Sequence, residues 1–106
     1  MAYLDGKLWP TWYCPKGLPA AELITAVARH FAVERGEILG ASRRRCLLYP
    51  RAVIIRILRD RGHSFPVIGR LLKRDHTTIM YHAERFEAYE KAYPMVRSAY
   101  RRFANV

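Results

Sequence analysis

Acidic side chains are scarce in this sequence: nine Asp and Glu stand against nineteen Lys and Arg in 106 residues, a formal net charge of +10. That imbalance favours a polyanionic partner, whether nucleic acid, an acidic protein or an anionic membrane surface. Cysteine is nearly absent. Cys14 and Cys46 lie far apart with no CxxC pair, so neither a zinc framework nor a disulfide scaffold is indicated. A single bridge stays open, although in a reducing compartment both are expected as free thiols. No apolar run approaches the roughly 18 to 20 residues that a bilayer requires. The N-terminal residues, with Asp5, Gly6, Trp9 and Pro10, lack the charged-then-apolar layout of a signal peptide. A cytoplasmic protein is therefore expected. Internal repeats and low-complexity tracts are missing, and no GxxxxGK[ST] phosphate loop occurs. The length suits one domain with short extensions, and 51% apolar with 26% charged residues are globular proportions.

The positive charge is unevenly placed. Residues 1–42 hold four basic and four acidic groups, residues 43–74 hold ten basic groups against Asp60 alone, and residues 75–106 hold five against four. Nearly the whole excess lies in the middle third. Fifteen of the nineteen cations are Arg, whose forked donors suit phosphate and guanine better than the point charge of Lys.

Helical spacing organises the chain. Residues 1–18 mix Pro10, Pro15, Gly6 and Gly17 with Tyr3, Trp9, Trp12 and Tyr13, which reads as irregular backbone with aromatic anchors, a strap over the core or a partner-binding arm. Pro19 opens an amphipathic helix through Leu23, Ile24, Val27 and Phe31, with Glu22 near its positive end. His30 is placed as a dipole partner at its other end. A short apolar segment at Ile38 and Leu39 stops at Gly40. Arg43, Arg44 and Arg45 fall in a loop, because Pro50 favours opening the next helix, Pro50 to Arg61. Gly62 stops that helix, Ser64 caps the next, to Leu72, and Asp75 caps one from His76 to about Tyr89. Pro94 precedes a last helix with Val96, Ala99, Tyr100 and Phe103 on one side. With no convincing strand alternation the chain reads as all-α. Three stretches follow: an aromatic extension at 1–18, a helical domain at 19–91, and a C-terminal amphipathic helix at 92–106.

Two short helices joined by the tight Lys73-Arg74 turn form a helix-turn-helix by length and polarity. Such a unit sends its second helix into the major groove N-terminus first. The opening residues are Asp75, His76, Thr77 and Thr78. A carboxylate accepts from base amino groups, Thr offers a hydroxyl plus a methyl for thymine, and the helix terminus favours phosphate. Read as residues alone, the same side chains also serve as ordinary caps.

The runs SFPVIG from Ser64 to Gly69 and RDHTT from Arg74 to Thr78, with HA ending at Ala83, resemble the C-terminal DNA-binding domain of DnaA, the bacterial replication initiator. Ile38-Leu39, the Arg43 to Arg45 loop and Pro50-Arg51 are similar to that domain's basic loop and long helix. The resemblance covers about residues 20–90. It implies a helix-turn-helix fold of the DnaA C-terminal and Trp-repressor-like type, and a dual grip on duplex DNA at DnaA-box-like sites. Arg43 is then the minor-groove residue, with Arg44 and Arg45 beside it. Arg51 and Arg59 match phosphate-side positions, and Ser64, Phe65 and Pro66 the start of the motif against the backbone. Lys73 and Arg74 form the turn, and Asp75, His76, Thr77 and Thr78 read bases and phosphates. The chain departs from the pattern at Phe65, where Leu is usual, at Lys73, which replaces a glycine, near Gly62, where one residue is missing, and at Tyr81, where a His is frequent. His82 follows one place later, so Tyr81 and His82 are both candidates for a distal base contact that is otherwise lost, moved or replaced. The implied role is regulation of replication initiation or of transcription, in a bacterial or phage setting, without a nucleotide-binding motor.

Competing classes are weaker. A metal hydrolase would need His76 and His82, or His63, on one face, and a six-residue spacing turns a helix through about 600°. No enzyme activity, metal or cofactor is expected. A protein-interaction module docking an acidic partner through the basic face is the principal alternative, and the aromatic N-terminal segment is a second place for a protein partner. Single-strand RNA modules rely on sheets. A membrane surface is disfavoured because the basic stretch is interleaved with core positions.

Overall fold

A computed structural model of the chain describes residues 2–4, 7–9, 19–40 and 45–104, of which residues 2–4, 7–9 and Arg45 are described by their backbone alone. Strands β1 (Ala2–Leu4) and β2 (Lys7–Trp9) pair antiparallel, with Ala2 opposite Trp9 and Leu4 opposite Lys7. The expectation of irregular backbone is corrected for residues 2–4 and 7–9, while the remainder of 1–18, including Trp12 and Tyr13, lies outside the described residues. In the sequence the strands are separated by Asp5 and Gly6, a pair that favours two-residue hairpin turns.

The rest of the described chain is helical: α1 (Ala20–His30), α2 (Arg35–Leu39), α3 (Arg45–Asp60), α4 (Phe65–Leu72), α5 (His76–Ala92) and α6 (Pro94–Ala104). The all-α class of the domain stands. Helix α3 packs against all five others, and Ala52, Val53, Ile54, Ile55, Ile57 and Leu58 are all buried along it. A helix apolar on so much of its circumference belongs at a centre. Leu23, Ile24 and Val27 of α1, Ile68 and Leu72 of α4, Ile79 and Phe86 of α5, and Val96, Ala99 and Phe103 of α6 close the core around it.

Pro50 lies inside α3 rather than at its start, so the helix begins five residues earlier than expected and Arg45 belongs to it. Proline has no N–H to give the carbonyl four residues back, which weakens the opening turns. Packing outweighs that loss: Leu47 is fully buried and the Pro50 ring is buried too.

Three helices end by the same device. Ala32, Gly62 and Lys73 all take left-handed backbone, with φ of 57°, 92° and 55°. After each, the next amide reaches back to a carbonyl five residues earlier: Val33 to Ala28, His63 to Leu58 and Arg74 to Gly69, at 2.9, 3.1 and 2.8 Å. This is the Schellman closure, which satisfies carbonyls that a helix end leaves free. Only at Gly62 is the conformation met by a glycine.

Candidate nucleic-acid interface

Helices α4 and α5 and the turn between them are fixed by local chemistry. Ser64 caps α4, its hydroxyl accepting from the Val67 amide at 3.4 Å, and Pro66 sits in the first turn, where its missing N–H costs nothing. Lys73 closes α4, and Asp75 caps α5, its carboxylate accepting from the Thr77 amide at 3.2 Å. The expected caps are all observed. Gly69 permits the sharp turn, since a Cβ there would lie 2.6 Å from the Arg74 carbonyl oxygen.

The face this creates is open and polar. Asp75, His76, Thr77 and Thr78 are exposed together over the N-terminus of α5, as are Ser64, Pro66 and Lys73 around it. A notch of about 460 Å³ between the two helices is lined by Pro66, Gly69, Arg70, Lys73 and the Arg74 to His76 run. His76 Nδ1 stands 3.2 Å from an Asp75 carboxylate oxygen, which restrains the ring at the helix start. Tyr81, half exposed, continues the face one turn on, and the Arg85 guanidinium lies 4.3 Å from the centre of its ring. At the other end, the exposed Arg59 donates to the His63 carbonyl at 3.1 Å and stacks 4.2 Å over half-buried Phe65.

Two candidates lie elsewhere. Arg51 is 5% exposed, its guanidinium turned inward to the carbonyls of Glu37 (2.8 Å), Ile38 (3.0 Å) and Gly40 (3.2 Å). Burial and the neighbouring Arg74 push its pKa down to about 10. It caps α2 from within, so the phosphate-side expectation for it is corrected. His82 is 8% exposed and lines up with Ile79 and Phe86 on the core face of α5, about 100° round from Tyr81. Burial, then the charges of Arg51 and Arg74, hold its pKa below the usual histidine range. It is a core histidine, whereas Tyr81 is exposed. Arg74 is half-buried, its guanidinium donating to the Gly40 carbonyl. Arg43 and Arg44 lie outside the described residues, as does the side chain of Arg45.

Arg70 and Arg85 were not foreseen. Arg85 follows Tyr81 by four and Thr77 by eight, two steps of one helical face, and that spacing was the available signal. Among the described residues no His, Cys, Asp and Glu cluster fit for a metal occurs, and no helix is long and apolar enough to cross a membrane.

A capped helix, a tight glycine-dependent turn and a second helix with an exposed polar N-terminus define a DNA-binding helix-turn-helix domain. Residues 20–85 match the family model described as the bacterial DnaA protein helix-turn-helix, and the chain belongs to that family. The chromosomal replication initiator protein DnaA of Thermomicrobium roseum is 39% identical over 67 residues, 61% of this chain and 14% of that protein. Its namesake from Thermus thermophilus is 36% identical over 73 residues, 65% of this chain and 17% of that protein. The one from Deinococcus deserti is 38% identical over 61 residues, 57% and 13% respectively. The chain thus corresponds to a small part of these relatives. The matched domain is a binding fold, not a catalytic one.

Proposed function

We propose that the chain binds duplex DNA in a sequence-specific way at short DnaA-box-type sites and thereby regulates replication initiation or transcription, at the nucleoid in the cytoplasm. Helix α5 enters the major groove with His76, Thr77 and Thr78 toward base edges, Asp75 capping the helix and Tyr81 one turn further in. The arginine segment, Arg43 and Arg44 with Arg45 at the start of α3, takes the adjacent minor groove. Arg59, Ser64, Phe65, Pro66 and Lys73 hold the backbone, and Arg70 and Arg85 add charge at the edges of the same face. Residues 19–91 act as the DNA-binding unit, with 1–18 and 92–106 as flanks, the aromatic flank being available to a protein partner. Phosphate contacts supply affinity and the groove contacts supply choice.

The observation that carries this reading is the coincidence of the family match with an exposed run of Asp75 to Thr78 at the N-terminus of the second helix. Selection of bound sites from a random duplex library tests it. A DnaA-box-like motif is the expected product, with log K falling against log salt at a slope of about −4 to −7 for roughly 5 to 8 neutralised phosphates. An unrelated motif would replace the site class, and an absence of enrichment together with salt-insensitive affinity would overturn DNA binding.

A further inference from the structure

One backbone oxygen joins the two halves of the proposed grip. The Gly40 carbonyl accepts from Nη2 of Arg51 on α3 at 3.2 Å and from Nη2 of Arg74 in the turn between α4 and α5. Gly40 is the last residue of the α2 cap, and the segment 41–44 departs from it. Arg74 immediately precedes Asp75, the cap of α5. The exit of the arginine segment and the entry of the recognition helix therefore meet at one atom, although 34 residues separate them in sequence.

The arrangement is not a casual surface contact. A five-residue helix leaves most of its carbonyls without intrahelical partners, and Arg51 reaches two of them, Glu37 and Ile38, as well as that of the Gly40 cap. Gly40 has no room for a side chain, since a Cβ would sit 2.9 Å from the Gly36 carbonyl oxygen. Two guanidinium groups on one acceptor repel each other, and burial disfavours the charge of both. Nε of Arg74 is buried with no hydrogen-bond partner among the described residues, so the side chain is committed to this position at a cost in hydrogen bonding.

We infer that the Gly40 carbonyl is a joint that sets the arginine loop against the recognition helix, and that Arg51 and Arg74 are positioning residues that act through it rather than DNA contacts. The inference rests on the DNA-binding reading above and assigns to Arg74 a task other than phosphate binding. Arg74 sits at the start of the most recognisable motif in the chain, where a charge invites the opposite assignment.

A double-mutant cycle on the selected duplex separates the two tasks. Arg74→Met keeps the apolar stem and removes the donors. If Arg74 positions the loop, the penalty of Arg43→Ala, about tenfold in the parent, falls to about twofold or less in the Arg74→Met background, because the loop is no longer delivered. The penalty of Thr78→Ala stays the same in both backgrounds, and Arg74→Lys, which can still reach one carbonyl, restores most of the Arg43 penalty. If Arg74 binds phosphate, the penalties of Arg74→Met and Arg43→Ala multiply and the salt slope drops by about 0.9 for Arg74→Met alone; that result would overturn the inference. Hydrogen exchange on the free protein examines the joint without DNA. Arg74→Met should speed exchange in residues 34–47 and leave residues 20–31 unchanged, and unchanged exchange in a folded variant would sink the joint. A parent protein that fails to bind any duplex would defeat the DNA reading instead, with the exchange result still deciding whether the joint exists.

Discussion

Gly69 and Arg74 lie in such close approach that the first cannot carry a side chain: a Cβ on Gly69 would come within 2.6 Å of the Arg74 carbonyl oxygen, a backbone atom with little freedom to yield. The Arg74 amide also donates to the Gly69 carbonyl at 2.8 Å, so the two residues are tied as well as crowded. Gly69→Ala should therefore destabilise the domain by about 1 to 3 kcal/mol through overpacking, despite alanine's better helix propensity. Urea unfolding measures this directly. A stabilised Gly69→Ala variant would mean that the turn opens more readily than its packing implies.

Lys73 presents the opposite case. It holds left-handed backbone at φ 55° and ψ 45° with a full side chain exposed to solvent. Lys73→Gly should raise stability by about 0.5 to 1 kcal/mol, the left-handed strain of an L-residue less the greater entropy of unfolded glycine. Duplex affinity should fall at the same time if Lys73 touches phosphate. Opposite signs in the two measurements would separate backbone strain from charge.

His82 makes stability depend on pH. Its folded pKa lies below the unfolded value of about 6.5, chiefly because burial disfavours the cation and secondarily because Arg51 and Arg74 are close. Between those two values the unfolded chain binds a proton that the folded chain refuses, so stability rises with pH through that window. The contribution is complete above about pH 6.5 and is lost as pH falls toward the folded pKa. Urea midpoints for the parent should drop more from pH 7.5 to pH 5 than those of His82→Gln, and equal drops would assign the effect to other groups.

Base readout and backbone holding should part in mutagenesis. Thr78→Ala and His76→Ala are expected to erode discrimination at individual base pairs by about 1 to 3 kcal/mol, whereas Arg59→Ala should weaken every duplex alike and flatten the salt dependence. Phe65→Leu removes the ring under Arg59 while keeping an apolar side chain, and should cost about 0.5 to 1 kcal/mol in binding by releasing the guanidinium. Competition titrations with single-base variants of the selected site would read all four. Uniform losses for Thr78→Ala would remove α5 from base recognition.

Much of this design was readable in the sequence because its signals are local. Ser64, Asp75, Gly62 and Gly40 mark helix ends by chemistry that acts within a few residues, and each marks an end in the structure. Pro50 misled, because its penalty is local while the burial of Leu47 that outweighs it is tertiary. Arg51 and His82 misled for a related reason. A polar side chain read from sequence looks like surface until the carbonyls or core neighbours that hold it are known. Arg85 escaped attention because a cation on an exposed helix face is unremarkable until Tyr81 is seen beneath it. The hairpin of residues 2–4 and 7–9 was obscured by the prolines and aromatics around an otherwise clear Asp5-Gly6 signal.

The placement of Pro50 within α3 has a mechanical corollary. Without the proline N–H, the first turns of that helix owe more of their persistence to Leu47 than a regular helix would. In the sequence those turns follow directly on residues 41–44, which include Arg43 and Arg44. Were residues 45–49 to unwind, five more residues would be free to extend, each adding about 3.4 Å of span. The reach of the proposed arginine contact would then depend on how firmly buried Leu47, together with Tyr49 against Tyr89 and Tyr93, holds those turns.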